Sequence, residues 1–376
     1  MLRADFASGV AGRSIRLPCA ESDSLTGGAL NVATMKTEGQ VLPRIALLLG
    51  DYTGIGPEQC ARVLSDGRLN DAARLVVVGD TRVLEQGMRD AGVDLSWYAV
   101  SSVAEIDWTR SAVSVIDLKN IDPASLPRGV VSAESGRLTG DTLAHAIQMA
   151  QRGEVDAITF APLNKAALHA GGWRFPDEHK MFAHLLNHRG YFSEMNVLDN
   201  QWMSRVTSHV SLRQAIEQIN VQSITDAIQL ADRTMRRAGF EKPRLAVAAL
   251  NPHAGEGGLF GSEEIEIIAP AVAAAAQGGI DCRGPFPADT VYLKAFAGEY
   301  DGVVAMYHDQ GQIATKLRGF NRGVTVTAGL DAVFTTPAHG TAFDIVGKGV
   351  ASTGALENAV RLAAKLAGAE KVRMAA

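Results

Sequence analysis

Histidines and an aspartate able to face a metal stand in four short segments of the second half of the chain. They are Val206-Thr-Ser-His209-Val210, Asn251-Pro-His253-Ala-Gly-Glu-Gly-Gly258, Pro287-Ala-Asp289-Thr290 and Tyr307-His308-Asp309-Gln-Gly311. Neutral imidazole suits zinc and similar divalent ions, and a nearby carboxylate adds charge or orients a ring. Two of the segments follow apolar runs, Arg244 to Leu250 and Gly302 to Tyr307, that read as buried strands. The loop beyond such a strand is where α/β enzymes keep their chemistry. His209, His253 and His308 therefore suggest one divalent metal site assembled by the fold, with three separate loop-capping histidines as the plainer alternative. His145, His169, His184 and His188 lie in helix-like or turn segments and read as surface or packing residues.

Gly50-Asp51-Tyr-Thr-Gly54-Ile-Gly56-Pro57-Glu58 is a strand-to-helix turn that lacks the Gly-x-Gly-x-x-Gly spacing. Tight backbone packing explains it as well as a dinucleotide contact does. Pro337-Ala-His339-Gly340-Thr341-Ala342-Phe343-Asp344 is the better cofactor candidate. Its small residues let backbone amides approach an adenosine or a phosphate, with Asp344 suited to a ribose hydroxyl. A structural loop before the last helix is the alternative. Lys316, Arg318, Asn321 and Arg322 follow the His308 loop and suit a small anionic substrate, unless they are simply a solvated face.

The elements that must position these residues alternate between strand-like and helix-like patterns, which predicts α/β layers with a mostly parallel sheet. The chain has 376 residues, 47% hydrophobic and 20% charged, enough for two α/β domains. Its net charge of −5 leaves no basic footprint for nucleic acid. No run is long enough to span a bilayer, so no membrane partner is expected. Three cysteines without a paired spacing exclude a disulfide framework and a zinc knuckle, and fit a reducing, cytoplasmic setting. Residues 1–43 are expected to be a disordered tail without a secretory signal, translation starting at Met1 or at Met35. The expected division is a cofactor-side domain, 44–155 plus 325–376, and a metal, substrate and dimerisation domain, 156–324. The Pro/Gly/Ser-rich stretch 118–135 reads as the crossing between them.

Taken together the segments resemble the family of 4-hydroxythreonine-4-phosphate dehydrogenases from about Arg44 onward. The collinear series comprises Gly50-Asp51 with Gly54-Ile-Gly-Pro-Glu58, Ala161-Pro-Leu-Asn164-Lys165 and Val206-Thr-Ser-His209, then Asn251 to Gly258 and Pro287 to Thr290. Tyr307 to Gly311, Gly319 to Gly323 and His339-Gly-Thr-Ala342 complete it. The resemblance implies a two-domain α/β/α fold similar to isocitrate and isopropylmalate dehydrogenases rather than a Rossmann domain. It implies a homodimer with active sites at the subunit interface, NAD or NADP, and one divalent ion (zinc, magnesium, cobalt or manganese). By the same resemblance His209, His253 and His308 are metal ligands, and Asp289 is an acidic residue close to the metal. His179 and Lys316 contact substrate. His339, Gly340, Thr341, Ala342 and Asp344 face the cofactor, with Asn164 on a loop that meets substrate or cofactor or else caps a helix.

Three positions depart from the family pattern. Its His-Thr pair is His179-Lys180 here, and its later substrate-contacting asparagine and arginine fall on Thr325 and Phe334. An aromatic ring in place of a guanidinium predicts a more apolar pocket wall. The expected activity is oxidation of a secondary alcohol of a hydroxy acid, with or without decarboxylation. Four-carbon acid-sugar phosphates and cis-dihydrodiol carboxylates are the alternative substrates. A catalytically idle nucleotide- or metabolite-binding relative is the rival of another class.

Overall fold

The computed structural model describes residues 41–319 and 321–375. The expected tail falls almost wholly outside them. The chain divides at Val41, and the unit Leu42–Ala376 is compact. Its strands are β1 (Arg44–Leu48), β2 (Arg74–Gly79), β3 (Trp97–Val100), β4 (Val113–Asp117), β5 (Ala157–Phe160) and β6 (Ser193–Leu198). They continue as β7 (Gln201–Arg205), β8 (Leu245–Ala248), β9 (Cys282–Phe286), β10 (Gly302–Ala305), β11 (Val324–Ala328) and β12 (Val333–Pro337). One sheet orders them β3-β4-β2-β1-β5-β12-β11-β6-β7-β10-β8-β9. Pairing is parallel except at β12–β11, β11–β6 and β6–β7, which run antiparallel. The architecture is thus the mostly parallel α/β sheet that the alternating pattern implied.

Continuous apolar runs identify interior strands of the sheet. Ile45 to Leu48, Val76 to Val78 and Leu245 to Ala248 are buried along their lengths, as strands covered on both faces must be. The sheet runs without a break through both expected domains. β5 lies between β1 and β12, so its pairing puts residues 157–160 with the first group of strands. The crossing 118–135 is irregular apart from one 3-10 turn, until Ser132 caps the helix Ala133–Gln151 through the Ser135 amide. A π-helical turn, Glu264–Ile268, leads directly into the α-helix Ala269–Gln277.

Phe334 corrects an expectation. It is fully buried on β12 and stacks on Phe182 of the helix Glu178–Leu185, ring centroids 4.3 Å apart and planes 13° from parallel. Its ring belongs to the core with Phe160, Leu143 and Ile158, not to a pocket wall. Arginine would leave a guanidinium without counter-charge at that depth, so the aromatic residue answers to packing.

Candidate active site

A cleft opens where several strand ends meet. Its lining includes Lys165 and Glu178, Glu194 and Asn196 of β6, and His209 beyond β7. His308, Gln312 and Lys316 face it from the helix His308–Gly319, Thr325 from β11, and His339 with Gly340 from the loop after β12. Six sequence-predicted site residues therefore share one cleft: His209, His308, Lys316, Thr325, His339 and Gly340.

His209 and His308 lie side by side, ring centroids 5.4 Å apart. Each ring is held at Nδ1 by a carboxylate: His209 by Asp177 Oδ2 at 3.0 Å and His308 by Asp309 Oδ1 at 2.7 Å. Such a bond to one ring nitrogen fixes the tautomer and leaves Nε2 as the free donor, which is how metal-binding histidines are usually oriented. Burial pushes the His308 pKa down, partly offset by Asp309, which favours the neutral ring a metal requires. Burial raises the Asp177 carboxyl, yet hydrogen bonds from His209 and the Lys180 amide hold it at about 2. Two imidazoles fit a divalent ion. Among the described residues no group of three or more histidine, cysteine or acidic side chains converges to hold one.

His253, the third ligand expected from the resemblance, stands apart from these two. It is exposed, on the turn Pro252–Gly258, and does not line the cleft. Asp289 is likewise exposed outside the cleft, on a helix (Ala288–Phe296) that packs against that turn. His209 and His253 both adopt left-handed backbone, φ 51° and 53°. Non-glycine residues reach that region at a cost of order 1 kcal/mol or more, and such strain gathers at functional positions. The turn is braced by Glu264, whose Oε1 accepts from the Leu250 and Asn251 amides, both at 2.8 Å.

Behind the two cleft histidines lies a charged layer that sequence reading missed. Glu194 Oε1 sits 3.3 Å from Arg205 Nη2, and its Oε2 3.6 Å from His179 Nε2 and 4.0 Å from His209 Nε2. Burial opposes ionisation of Glu194, but Arg205 and His179 hold its pKa well below the usual carboxylate range. His179 is buried, with Nδ1 2.7 Å from Thr327 Oγ1. Burial pulls its pKa down, and Glu194, Glu178 and Asp177 more than reverse this. His179 thus supports the acidic wall rather than lining the cleft. A partial signal for this layer was present: Glu194-Met-Asn-Val197 alternates polar and apolar, the mark of a half-buried strand.

Lys180 does not face the cleft. It is exposed, with Nζ 5.9 Å from the centroid of Phe192. Asn164 caps the helix Lys165–Ala170, its Oδ1 accepting from the Ala167 amide at 2.9 Å. Asn164→Ala is expected to lower unfolding stability by about 1 kcal/mol, the usual value of such a cap. A denaturant titration reads this, and an unchanged midpoint refutes it.

The cofactor-candidate loop joins the glycine-rich turn. The Ile55 amide donates to the Thr341 carbonyl at 3.1 Å, and a Cβ on Gly54 would come within 2.9 Å of Thr341 Cβ. Gly54 is therefore required by close approach. Ala342 takes φ 44°, Asp344 is exposed, and His339 Nε2 accepts from the Gln59 side-chain amide across 3.4 Å. His339 and Gly340 reach the cleft while Thr341 anchors the loop from below.

Fold and cleft define a mostly parallel α/β protein that gathers a polar ligand site at its strand ends, where such sheets bind small molecules. Residues 71–363 match the family described as pyridoxal phosphate biosynthetic protein PdxA. The chain is 41% identical over 324 residues to the D-threonate 4-phosphate dehydrogenase of Pectobacterium atrosepticum, covering 86% of this chain and 99% of the relative. A crystal structure of 4-hydroxythreonine-4-phosphate dehydrogenase from Klebsiella pneumoniae superposes with a TM-score of 0.74 at 40% identity, over 86% of this chain and 99% of that one. A terephthalate 1,2-cis-dihydrodiol dehydrogenase from Burkholderia xenovorans gives 0.61 at 28% identity, over 86% and 98%. The chain belongs to the PdxA family.

Proposed function

We propose that this protein is an NAD- or NADP-dependent, divalent-metal-dependent dehydrogenase that oxidises a secondary alcohol of a phosphorylated four-carbon acid. The convergence of His209, His308, Lys316 and the His339-Gly340 loop on one cleft carries this reading. The names of the Pectobacterium and Klebsiella relatives, both dehydrogenases of four-carbon acid phosphates, support the substrate class.

In this reading the ion is held by His209 and His308 of one subunit and by His253 of the partner subunit. Exposed apolar side chains beside the outlying histidine support the pairing: Leu259 is 72% exposed and Phe260 47%. A hollow lined by Thr207, Val210, Leu212 and Tyr307 flanks His209 and His308 and offers such a loop a seat. Exposed Leu293, Ile313 and Leu317 extend the same apolar character, which is the mark of an interaction surface. When bound, the ion polarises the alcohol oxygen and the dinucleotide accepts the hydride, chemistry that neither side chain nor backbone supplies. The chain's own residues do the positioning. Asp177 and Asp309 hold the two rings, Lys316 pairs with an anionic group of the substrate, and backbone at Gly340 leaves room for the dinucleotide. Strands β5, β6, β11 and β12 each contribute to the cleft, through Phe160, Asn196, Thr325 and Thr336.

No helix among the described residues is long and apolar enough to cross a membrane, in keeping with a cytoplasmic setting. The Burkholderia xenovorans neighbour favours a second reading, a cis-dihydrodiol carboxylate as substrate. The test is a reduction assay with NAD and NADP against 4-hydroxythreonine phosphate, threonate and erythronate phosphates and a cis-dihydrodiol carboxylate. Each is run with magnesium, manganese, cobalt and zinc. Metal-dependent cofactor reduction with a phosphorylated acid is expected; reduction only with the dihydrodiol supports the second reading. Cofactor binding without reduction of any of them sinks both.

A further inference from the structure

His209 and His308 are each aimed by a carboxylate at Nδ1, but no hydrogen bond among the described residues reaches the His253 ring. Beyond a loose contact with Phe260, the direction of that ring rests on its backbone. His253, Ala254, Gly255, Glu256 and Gly257 all take left-handed conformation, with φ between 43° and 76°. L-residues enter that region singly and at a cost, so three non-glycine residues in one run need a restraint from outside. Glu264 supplies it, as the first residue of the π-helical turn Glu264–Ile268 and only 3% exposed. Its Oε1 takes the Leu250 and Asn251 amides, and its Oε2 accepts from Asn251 Nδ2 at 2.9 Å. A Cβ on Gly255 would fall 2.7 Å from the same Oε2, so the turn also closes over the carboxylate from its far side. His253 thus stands between two stretches, 250–251 and 255, that both rest on one carboxylate. No lysine or arginine among the described residues pairs with Glu264. A buried carboxylate met only by N–H donors is unfavourable for stability alone; what it provides is a fixed backbone.

Resting on the shared-metal dehydrogenase reading above, we propose that Glu264 is a positioning residue for His253. Its buried carboxylate holds the left-handed turn so that the imidazole is presented, already oriented, to the cleft of the other subunit. Asp177 and Asp309 orient the rings of their own cleft, but they cannot orient a donor that arrives from another chain. Such a donor has to be set in advance by its own subunit. A turn free to relax would hold the imidazole in place for only a fraction of the time, and apparent affinity for the ion falls by that fraction.

The experiment titrates cobalt(II) into the full-length protein by calorimetry and reads amide hydrogen exchange over residues 250–258. It compares the wild type, Glu264→Ala, Glu264→Gln, His253→Ala and the double variant Glu264→Ala/His253→Ala. Glu264→Ala is expected to raise the cobalt Kd at least about ten-fold, as a turn in place a tenth of the time requires, and to speed exchange of the Leu250 and Asn251 amides. Glu264→Gln keeps an oxygen for those two amides and should stay within about three-fold of the wild type. Because Glu264 acts through His253, the double variant should bind cobalt no more weakly than His253→Ala alone. If Glu264→Ala does not fold, Gly255→Ala replaces it, since its Cβ displaces the carboxylate and its φ of 76° opposes any side chain. Wild-type cobalt affinity in a variant whose turn exchanges faster overturns the inference. So does a double variant weakened beyond His253→Ala by the full factor of Glu264→Ala. Either result leaves the dehydrogenase reading standing, whereas wild-type cobalt affinity in His253→Ala overturns the shared site and the inference together.

Discussion

His253→Ala is expected to abolish turnover and weaken metal binding while the protein stays folded, although His253 lies outside its own cleft. The side chain is exposed and its ring makes only a loose aromatic contact, with Phe260 at 6.2 Å between centroids, so truncation leaves no core void. If it supplies the third donor across a two-fold interface, its loss removes one of three protein ligands. A bound metal supplies several kcal/mol of transition-state stabilisation, so a rate loss of at least roughly a thousand-fold is expected. Subunit mixing gives the sharper readout. In a hybrid of His253→Ala and His209→Ala subunits, one of the two shared sites regains a full donor set and the other loses two donors. Random pairing of equal amounts then restores about a quarter of the wild-type sites, which a two-fold isologous interface requires. Activity that rises toward that level on mixing two dead variants confirms sharing. Normal kcat of His253→Ala in metal-free buffer, or a mixture as dead as its parents, rules it out.

That His253 stands apart was not legible in the sequence, and the reason is physical. Each candidate histidine follows a strand or turn, and strand–loop punctuation can be read from apolar runs such as Leu245 to Ala248 and Gly302 to Ala305. Whether two such loops face the same solvent volume depends on strand order, set by long-range pairings that local pattern does not encode. β7 and β10 are neighbours, which brings His209 and His308 together. β8 lies beyond β10, and the strained turn after it carries His253 away. Position in a collinear series likewise could not give direction. Phe334 falls on a strand wedged between β5 and β11 under Phe182, so its ring meets the core. The charged layer escaped notice for another reason: Glu194 and Arg205 lie on separate strands, and only the antiparallel pairing of β6 with β7 brings them together.

That buried pair yields the largest expected stability effect. Arg205→Met keeps most of the side-chain volume but leaves Glu194 without its guanidinium in a site where its side chain is 10% exposed. Removing one partner of a buried ion pair generally costs about 3–5 kcal/mol, because the remaining charge is uncompensated. The pH dependence then separates this cause from simple repacking. In the wild type the folded pKa of Glu194 is depressed, so its contribution to stability is complete above the unfolded carboxylate value and is lost as pH falls toward the folded one. Burial is already the largest single influence on Glu194; in Arg205→Met it loses its main counterweight, and the folded pKa is expected to rise above the unfolded value. The sign reverses: protonation relieves the site, so the variant's deficit relative to wild type shrinks on acidification from pH 8 toward pH 5. Double substitution with Glu194→Gln removes the orphaned charge and is expected to recover much of the lost stability across that range. Thermal melts of the three proteins at several pH values test this, and a deficit for Arg205→Met that is the same at every pH would show that the ion pair is not what holds this part of the fold.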